Sequence, residues 1–298
     1  MMKMFAVMFA VLLVLAGCVS TETTKAAGNI TSRTVSVPGA GRQVPATLVL
    51  PDGKGPFPLV VMEHGFAGSR EENGGFGGIA DALAQAGIAS VRMDFPGCGE
   101  SPAPFLEYNF TANIADAEAC REWAIANANI DKARTGILGY SNGGRQALIL
   151  AGRENPYKAL GLLAPAFFTN TTDAQHSGLF NKSVSKERLA IARSDGFYAM
   201  EWFGRTLEVS AKYYEDEIAA FDTMDKLTAA IVGKPCLVVY GAKDDIVPPA
   251  VSKAAAAATG AQIVEIPGAD HGYGFYSDQP DVTAMVQDVF VQFFKKHL

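Results

Sequence analysis

A serine between two glycines, in the pentapeptide Gly139-Tyr140-Ser141-Asn142-Gly143, is the residue of this chain best placed for nucleophilic chemistry. An apolar run typical of a buried strand precedes it, and a run typical of a helix follows it. A sharp strand-to-helix turn exposes the serine hydroxyl, and the glycines keep side chains out of the space where helix and strand approach each other. This context favours a nucleophile at Ser141 over a glycine-rich turn that happens to hold a serine.

Four histidines are available to act as the base that a serine hydroxyl needs in order to attack. At a turn of this kind the order along the chain is nucleophile, acid and then histidine. His271 follows the last predicted strand and fits that order, whereas His176 precedes any suitable acid. His297 is the penultimate residue, where we expect it to be solvated. We therefore predict His271 as the base, the alternative being an ordinary histidine of a surface loop.

Two aspartates, Asp244 and Asp245, compete for the role of the acid because both follow the predicted strand Leu237 to Tyr240. One buried carboxylate in this loop would accept the histidine N–H, fix the tautomer of the ring and stabilise the imidazolium. The other would be a solvated neighbour or an anion at a helix start. Position alone leaves both aspartates open.

The backbone N–H groups of Phe66 and Asn142 are the predicted donors to the oxygen that becomes negative when a carbonyl is attacked. Asn142 follows the serine at the start of its helix, and Phe66 lies in the loop after the predicted strand Leu59 to Met62. Gly65 lets the backbone of that loop turn in closely. We expect His64 to brace the loop rather than to act as a base.

Four motifs in the expected order make the chain resemble the α/β-hydrolase superfamily from about Thr31 to Leu298: His64-Gly65-Phe66, Gly139-Tyr140-Ser141-Asn142-Gly143, Gly241-Ala242-Lys243-Asp244 and Asp270-His271-Gly272. The resemblance implies a serine hydrolase that cleaves carboxylic esters through an acyl-enzyme, and its G-x-x-D pattern favours Asp244 as the acid. The His-Gly-Phe turn and an inserted cap look most like bacterial cinnamoyl and feruloyl esterases. The implied substrates are esters of small aryl or short-to-medium acyl groups.

Other functions share this machinery. The Gly143-Gly144 pair also occurs in prolyl-oligopeptidase-like peptidases, and an acyltransferase would need the same residues. A catalytically silent binding protein of the same fold is a further alternative, because fold alone does not fix function. The mechanism requires no metal or cofactor, and the absence of a C-x-x-C or spaced Cys/His cluster argues against a structural zinc site.

Strand-like and helix-like runs alternate along the chain, which predicts an α/β domain at residues 31–298 with a mostly parallel, doubly wound sheet. The first two strands have no helix between them, which favours an antiparallel start. The predicted strands are Val44–Leu50, Leu59–Met62, Ala89–Met93, Arg134–Gly139, Leu160–Leu163, Leu237–Tyr240 and Gln262–Ile266. The predicted helices are Phe76–Ala86, Thr111–Asn127, Gly143–Gly152, Ala250–Ala258 and Val282–His297.

The alternation lapses at about residues 167–233, a stretch too long for an ordinary loop. The segment carries several aromatic residues, among them Tyr198, Trp202 and Phe203. It begins near the carboxyl ends of the strands, where open α/β sheets bind ligands. We therefore predict a helical cap that covers Ser141 and lines the substrate pocket. The alternative is a helical excursion whose aromatic side chains only pack on the domain.

The N-terminus predicts export. Lys3 and the apolar run Phe5 to Leu15 are typical of a signal peptide, which we place at residues 1–17. Leu15-Ala16-Gly17-Cys18 resembles the bacterial lipobox, which implies a lipid on Cys18, a tether at residues 18–30 and attachment to a membrane of the bacterial cell envelope. Ordinary secretory cleavage with an incidental Cys18 is the alternative.

Composition and the remaining cysteines limit the partners. The 298 residues carry a formal net charge of −6 and no long basic run, so a nucleic-acid partner is not expected. We expect Cys236, which opens an apolar run, to be a buried small hydrophobe. Cys98 and Cys120 could pair, but the sequence does not decide it. The oligomeric state is likewise not set by the sequence.

Overall fold

The computed structural model of the protein describes residues 23–25, 30–153, 156–169 and 181–298. The predicted signal peptide at residues 1–17 and the predicted lipidation site at Cys18 lie outside these residues. None of the helices in the described ranges is both long and apolar enough to cross a membrane.

Nine strands form one sheet, and two more form a separate hairpin. In chain order the strands of the described residues are β1 (Thr23–Lys25), β2 (Thr31–Pro38), β3 (Gln43–Leu50), β4 (Phe57–Glu63), β5 (Ala89–Met93), β6 (Ile130–Tyr140), β7 (Tyr157–Leu163), β8 (Tyr198–Trp202), β9 (Arg205–Val209), β10 (Cys236–Gly241) and β11 (Gln262–Ile266). The large sheet has the order β1-β2-β3-β5-β4-β6-β7-β10-β11. Its strands are parallel from β5 to β11 and antiparallel among β1, β2, β3 and β5, which confirms the predicted antiparallel start.

Helices cover both faces of this sheet. They are α1 (Gly75–Gln85), α2 (Phe110–Asn127), α3 (Asn142–Gly152), α4 (Lys182–Asp195), α5 (Ala211–Ala229), α6 (Pro249–Thr259) and α7 (Pro280–His297). α1 packs against α7, whereas α2, α3 and α5 pack against one another. The α/β fold with a mostly parallel, doubly wound sheet is therefore confirmed.

Two strands of the parallel part of the sheet are buried along their whole length. Every residue of β5 and β10 is buried, as expected when helices cover both faces of a parallel sheet. Two glycines of the sheet let α7 approach closely. A Cβ atom at Gly136 would lie 2.8 Å from Phe294, and one at Gly161 would lie 2.9 Å from Phe290.

Two strands differ from the sequence predictions. β2 was not expected, because its sequence is largely polar and its burial alternates only toward its end. Part of the predicted tether, β1, pairs antiparallel with the outer edge of β2, where a strand edge offers unpaired backbone groups. The pairing of Cys98 and Cys120 that the sequence left open does not occur. Both are free and buried, and so is Cys236, as predicted.

The segment between β7 and β10 leaves the sheet. Its described residues form α4, the β8–β9 hairpin and α5, so the predicted helical insertion also contains a small two-stranded sheet. A buried ion pair ties it to the core: Arg145 of α3 lies 3.4 Å from Glu217 of α5, and Ser185 of α4 donates a hydrogen bond of 2.6 Å to Glu217. Breaking one side of such a pair leaves an uncompensated buried charge, so this contact fixes the insertion on the helix that follows Ser141.

Candidate active site

Ser141 occupies a strained turn between β6 and α3. Its backbone torsions are φ 53° and ψ −115°, a conformation that a residue with a side chain rarely adopts and that costs on the order of 1–3 kcal/mol. Two hydrogen bonds of 2.9 Å fasten the turn to the end of β7, from the Ser141 N–H to Leu163 and from the Ala166 N–H to the Ser141 carbonyl. The neighbouring strand thus holds the serine in its turn.

The glycines on either side of the serine leave the space that this turn needs. A Cβ atom at Gly139 would lie 2.6 Å from the Cα atom of Gly144, and one at Gly143 would overlap the carbonyl oxygen of Glu63. The helix therefore passes against the ends of β4 and β6 only because both positions lack a side chain. This is the close approach that the pentapeptide predicts.

Three of the predicted side chains form one hydrogen-bonded chain. The Oγ atom of Ser141 lies 3.1 Å from Nε2 of His271, and Nδ1 of His271 lies 2.8 Å from Oδ2 of Asp244. The serine is 9% exposed, the aspartate 3%. In this arrangement the carboxylate fixes a tautomer with the proton on Nδ1, which leaves Nε2 free to accept the serine proton.

The loop after β10 decides between the two aspartates. Asp244 turns inward because its Oδ1 accepts the N–H groups of Ile246 and Val247, at 3.1 and 2.8 Å. Its Oδ2 also accepts the Tyr273 hydroxyl at 3.3 Å. Asp245 is exposed at the rim of the cavity beside Ser141 and has no contact with the His271 ring. The structure therefore brings Asp244 to the histidine.

The two predicted N–H donors belong to different elements near Ser141. Phe66 lies in the loop after β4 and lines the cavity. Asn142 is the first residue of α3, where the N–H groups have no carbonyl of a preceding turn to bind and the helix dipole favours negative charge. Their role as the oxyanion hole remains a prediction.

His64 holds the loop of Phe66 in place. Its Nε2 accepts the N–H of Phe95 at 3.2 Å, so the proton is on Nδ1, which donates to the carbonyl of Gly65 at 2.7 Å. Burial lowers the pKa of His64 to about 4, which keeps the ring neutral. The side chain is wholly buried and does not line the cavity, in agreement with the bracing role expected from the sequence.

A cavity of about 600 Å³ opens in front of the serine. Trp202, Phe203 and Arg205 of the β8–β9 hairpin line it together with Phe66. Phe203 is 79% exposed at the tip of the hairpin, with a φ of 44°. Of the three aromatic residues singled out in the sequence, Tyr198 is the exception, because it packs on Tyr214 behind the hairpin, with Arg188 over its ring.

Sequence reasoning missed three polar residues around the site. Tyr273 accepts the N–H of Gly241 at 2.8 Å and donates to Asp244. Glu72 and Tyr276 line the cavity and hydrogen bond to each other. The position of Tyr273, two residues after His271, is a weak sequence signal for a role at the site. Glu72 has no such signal, because it is one of three consecutive acidic or amide residues. Among the described residues no group of three or more His, Cys, Asp and Glu could hold a metal ion.

The fold agrees with comparisons to known proteins. The profile described as "Alpha/beta hydrolase family" matches residues 60–286, well over half of the chain. The chain therefore belongs to the alpha/beta hydrolase family.

Among its relatives is an uncharacterized 31.7 kDa protein of Escherichia coli from the traX-finO intergenic region, 25% identical over 277 residues that cover 85% of this chain and 95% of that protein. Est1E from Butyrivibrio proteoclasticus, solved with ferulic acid bound, is similar with a TM-score of 0.71 and 22% identity, covering 88% of this chain and 98% of Est1E. The monoacylglycerol lipase of Paleococcus ferrophilus is similar with a TM-score of 0.66 and 17% identity, covering 86% of this chain and 99% of the lipase. At these identities the two solved structures show the fold alone.

Substitution of the two aspartates tests the assignment of the acid. Asp244→Asn should lower kcat by about 10⁴-fold, because the amide leaves His271 in the wrong tautomer. Asp245→Asn, the matched control in the same loop, should stay within about threefold of the wild type because its side chain is solvated. Steady-state kinetics on an activated ester measures both, and the reverse ranking of the two variants would move the role to Asp245.

Proposed function

We propose that this protein is a serine esterase, which cleaves carboxylic esters by transferring the acyl group first to Ser141 and then to water. The observation that carries the proposal is the hydrogen-bonded chain from Ser141 through His271 to Asp244, with distances of 3.1 and 2.8 Å. Membership of the alpha/beta hydrolase family supports it. The similarity to an esterase and a lipase agrees with it at the level of fold.

Each half-reaction uses the same three side chains. His271 takes the proton of Ser141 as the hydroxyl attacks the ester carbonyl, and then gives it to the departing alcohol. In the second half-reaction His271 takes a proton from water, which attacks the acyl-enzyme and releases the acid. Asp244 holds the ring in register and stabilises the imidazolium in both. The N–H groups of Phe66 and Asn142 stabilise the oxyanion.

The substrate class proposed is an ester of a small aryl or a short-to-medium acyl group. Its support is the cavity of about 600 Å³, which is within the usual range for small-molecule sites, and its aromatic lining by Phe66, Trp202 and Phe203. Aromatic rings suit a flat or apolar group better than a charged one. Est1E, of the same fold, has been solved with ferulic acid, and cinnamoyl-type esters belong to this class.

Replacing the nucleophile and the base tests the reaction. Ser141→Ala and His271→Ala should each lower kcat by about 10⁴-fold or more while the protein stays folded, because the members of a triad act as a unit. The assay is a series of p-nitrophenyl esters of rising chain length, beside methyl ferulate and a peptide p-nitroanilide. A Ser141→Ala protein that hydrolyses esters at near the wild-type rate would rule the proposal out, and preference for the anilide would indicate a peptidase.

Substitutions in the hairpin test the proposed selectivity. Trp202→Ala and Phe203→Ala should lower kcat/KM for aryl esters about tenfold, since each removes apolar surface from the cavity, and should change kcat/KM for an acetyl ester little. Tyr198→Ala is the matched control, an aromatic residue of the same hairpin that lies outside the cavity. An unchanged substrate ranking in both hairpin variants would show that these side chains only pack.

We further propose that the protein acts at a membrane of the bacterial cell envelope through a lipid on Cys18, the support being the sequence Leu15-Ala16-Gly17-Cys18 after an apolar run. The native protein should then partition into detergent, and Cys18→Ser should move it to the aqueous phase, because one residue carries the acyl chains. Mass spectrometry of the mature N-terminus checks the modification. An unmodified Cys18, or cleavage at a later residue, would remove the anchor and leave the catalytic proposal untouched.

A further inference from the structure

Glu72 joins the two loops that face each other across Ser141. The residue is 1% exposed and lines the cavity. One carboxylate oxygen accepts the N–H of Gly65, in the loop of the predicted oxyanion donor Phe66, at 2.7 Å. The other accepts the hydroxyl of Tyr276, in the loop that carries His271. A single side chain thus contacts both halves of the catalytic arrangement.

The backbone around Glu72 is held in an uncommon conformation. Glu72 and Asn73 have φ values of 43° and 51°, in a region that side chains disfavour. Asn73 adds a second link to the histidine loop, because its Nδ2 donates to the carbonyl of Phe275 at 2.6 Å. A Cβ atom at Gly68 would overlap the Glu72 carboxylate. Conformations of this kind persist where the surroundings over-determine them, and they cluster at functional sites.

The Glu72 carboxyl group is also near enough to the catalytic histidine to interact with it electrostatically. Burial raises the pKa of Glu72 to about 7, and the hydrogen bonds from Tyr276 and Gly65 and the attraction of His271 act in the opposite direction. Arg205, Asp245 and Asp270 line the same cavity, but among the described residues no ion pair joins Glu72 to a lysine or arginine. The titratable groups that interact with Glu72 are His271, Tyr276, Tyr140, Tyr108 and Cys98. Of these only the histidine gains a positive charge, so the charge of Glu72 acts on the imidazolium.

We propose that Glu72 is a positioning residue for the esterase reaction: it fixes the Gly65–Phe66 loop relative to His271, and its negative charge stabilises the imidazolium. This inference rests on the proposed function, since it assigns the residue a part in the same site. Burying a carboxylate is costly. An amide can keep both contacts, with its oxygen accepting the Gly65 N–H and its own N–H donating to the Tyr276 oxygen. The charge and the alignment are therefore separable, and two substitutions at this position separate them.

Glu72→Gln keeps an oxygen for Gly65 and an N–H for Tyr276 and removes only the charge. The pKa of Glu72 is about 7, so the wild-type carboxyl group is charged above that pH and neutral below it. Removing the charge should therefore lower kcat/KM above the pKa of Glu72, where the carboxylate stabilises the imidazolium of the transition state, and leave kcat/KM unchanged below it, with KM little changed. Glu72→Ala also removes the alignment. It should lower kcat about 10- to 100-fold with a smaller effect on KM, because a small displacement of catalytic groups can cost about 100-fold.

The matched control is Glu71→Gln, in the neighbouring residue. Glu71 is half exposed, pairs with Arg92 at 2.8 Å and lies outside the cavity, so this variant should keep the wild-type pH profile and kcat. Ser141→Ala is assayed beside these variants. If it stays active, the proposed function fails, whatever the Glu72 variants do.

If Ser141→Ala is inactive and Glu72→Gln matches the wild-type kcat/KM both above and below the pKa of Glu72, the charge has no part in the reaction. If the kcat of a folded Glu72→Ala protein also equals that of the wild type, the inference is overturned. Circular dichroism checks that the variants fold. Should Glu72→Ala fail to fold, the profile of Glu72→Gln decides by itself, because its hydrogen bonds are retained.

Discussion

The strained turn at Ser141 is the constraint on which the rest of the site depends. A residue with a φ of 53° persists there because the last residue of β7 binds its N–H and Ala166, just after β7, binds its carbonyl. Glycines on both sides also let the helix approach the strands. The turn needs a central parallel strand with neighbours on both sides. β6 supplies that strand between β4 and β7.

The same parallel sheet brings the loops after β4, β10 and β11 to one edge, where ligands of such sheets bind. Ser141, Phe66, Asp244 and His271 meet there although they are far apart in the sequence.

Two buried carboxyl groups, those of Asp244 and Glu72, interact with His271 and have different hydrogen-bond partners. Asp244 is fully satisfied by two backbone N–H groups, the Tyr273 hydroxyl and the imidazole. Glu72 accepts one N–H and one hydroxyl. These hydrogen bonds offset only part of the desolvation of Glu72, so burial raises its pKa to about 7. The insertion that lines the cavity is held by a different contact, the ion pair between Arg145 of α3 and Glu217 of α5. This ion pair connects the insertion, which includes the aromatic hairpin, to the helix that follows Ser141.

The sequence predicted the parallel strands that alternate with helices and missed β2 and the β8–β9 hairpin. β10 is a continuous apolar run, whereas β2 and the hairpin are half exposed, and their pairing is set by neighbours that no local pattern reveals. At the site, Ser141 and His271 follow from their loops. Asp244 and Asp245 occupy the same loop, so position left both open. The resemblance to the family favoured Asp244, and the inward turn over Ile246 and Val247 places its carboxylate at the histidine. The sequence did not point to Glu72, because its hydrogen-bond partner Tyr276 lies 204 residues away along the chain.

Covalent labelling tests the central claim, that Ser141 is an activated nucleophile, most directly. The wild-type protein is treated with a fluorophosphonate, and the adduct is located by peptide mapping and mass spectrometry. The account predicts a single phosphonyl group on Ser141, formed rapidly in the wild type and absent from Ser141→Ala. An adduct on another residue, or an unlabelled Ser141 in a protein that still turns over esters, would contradict it.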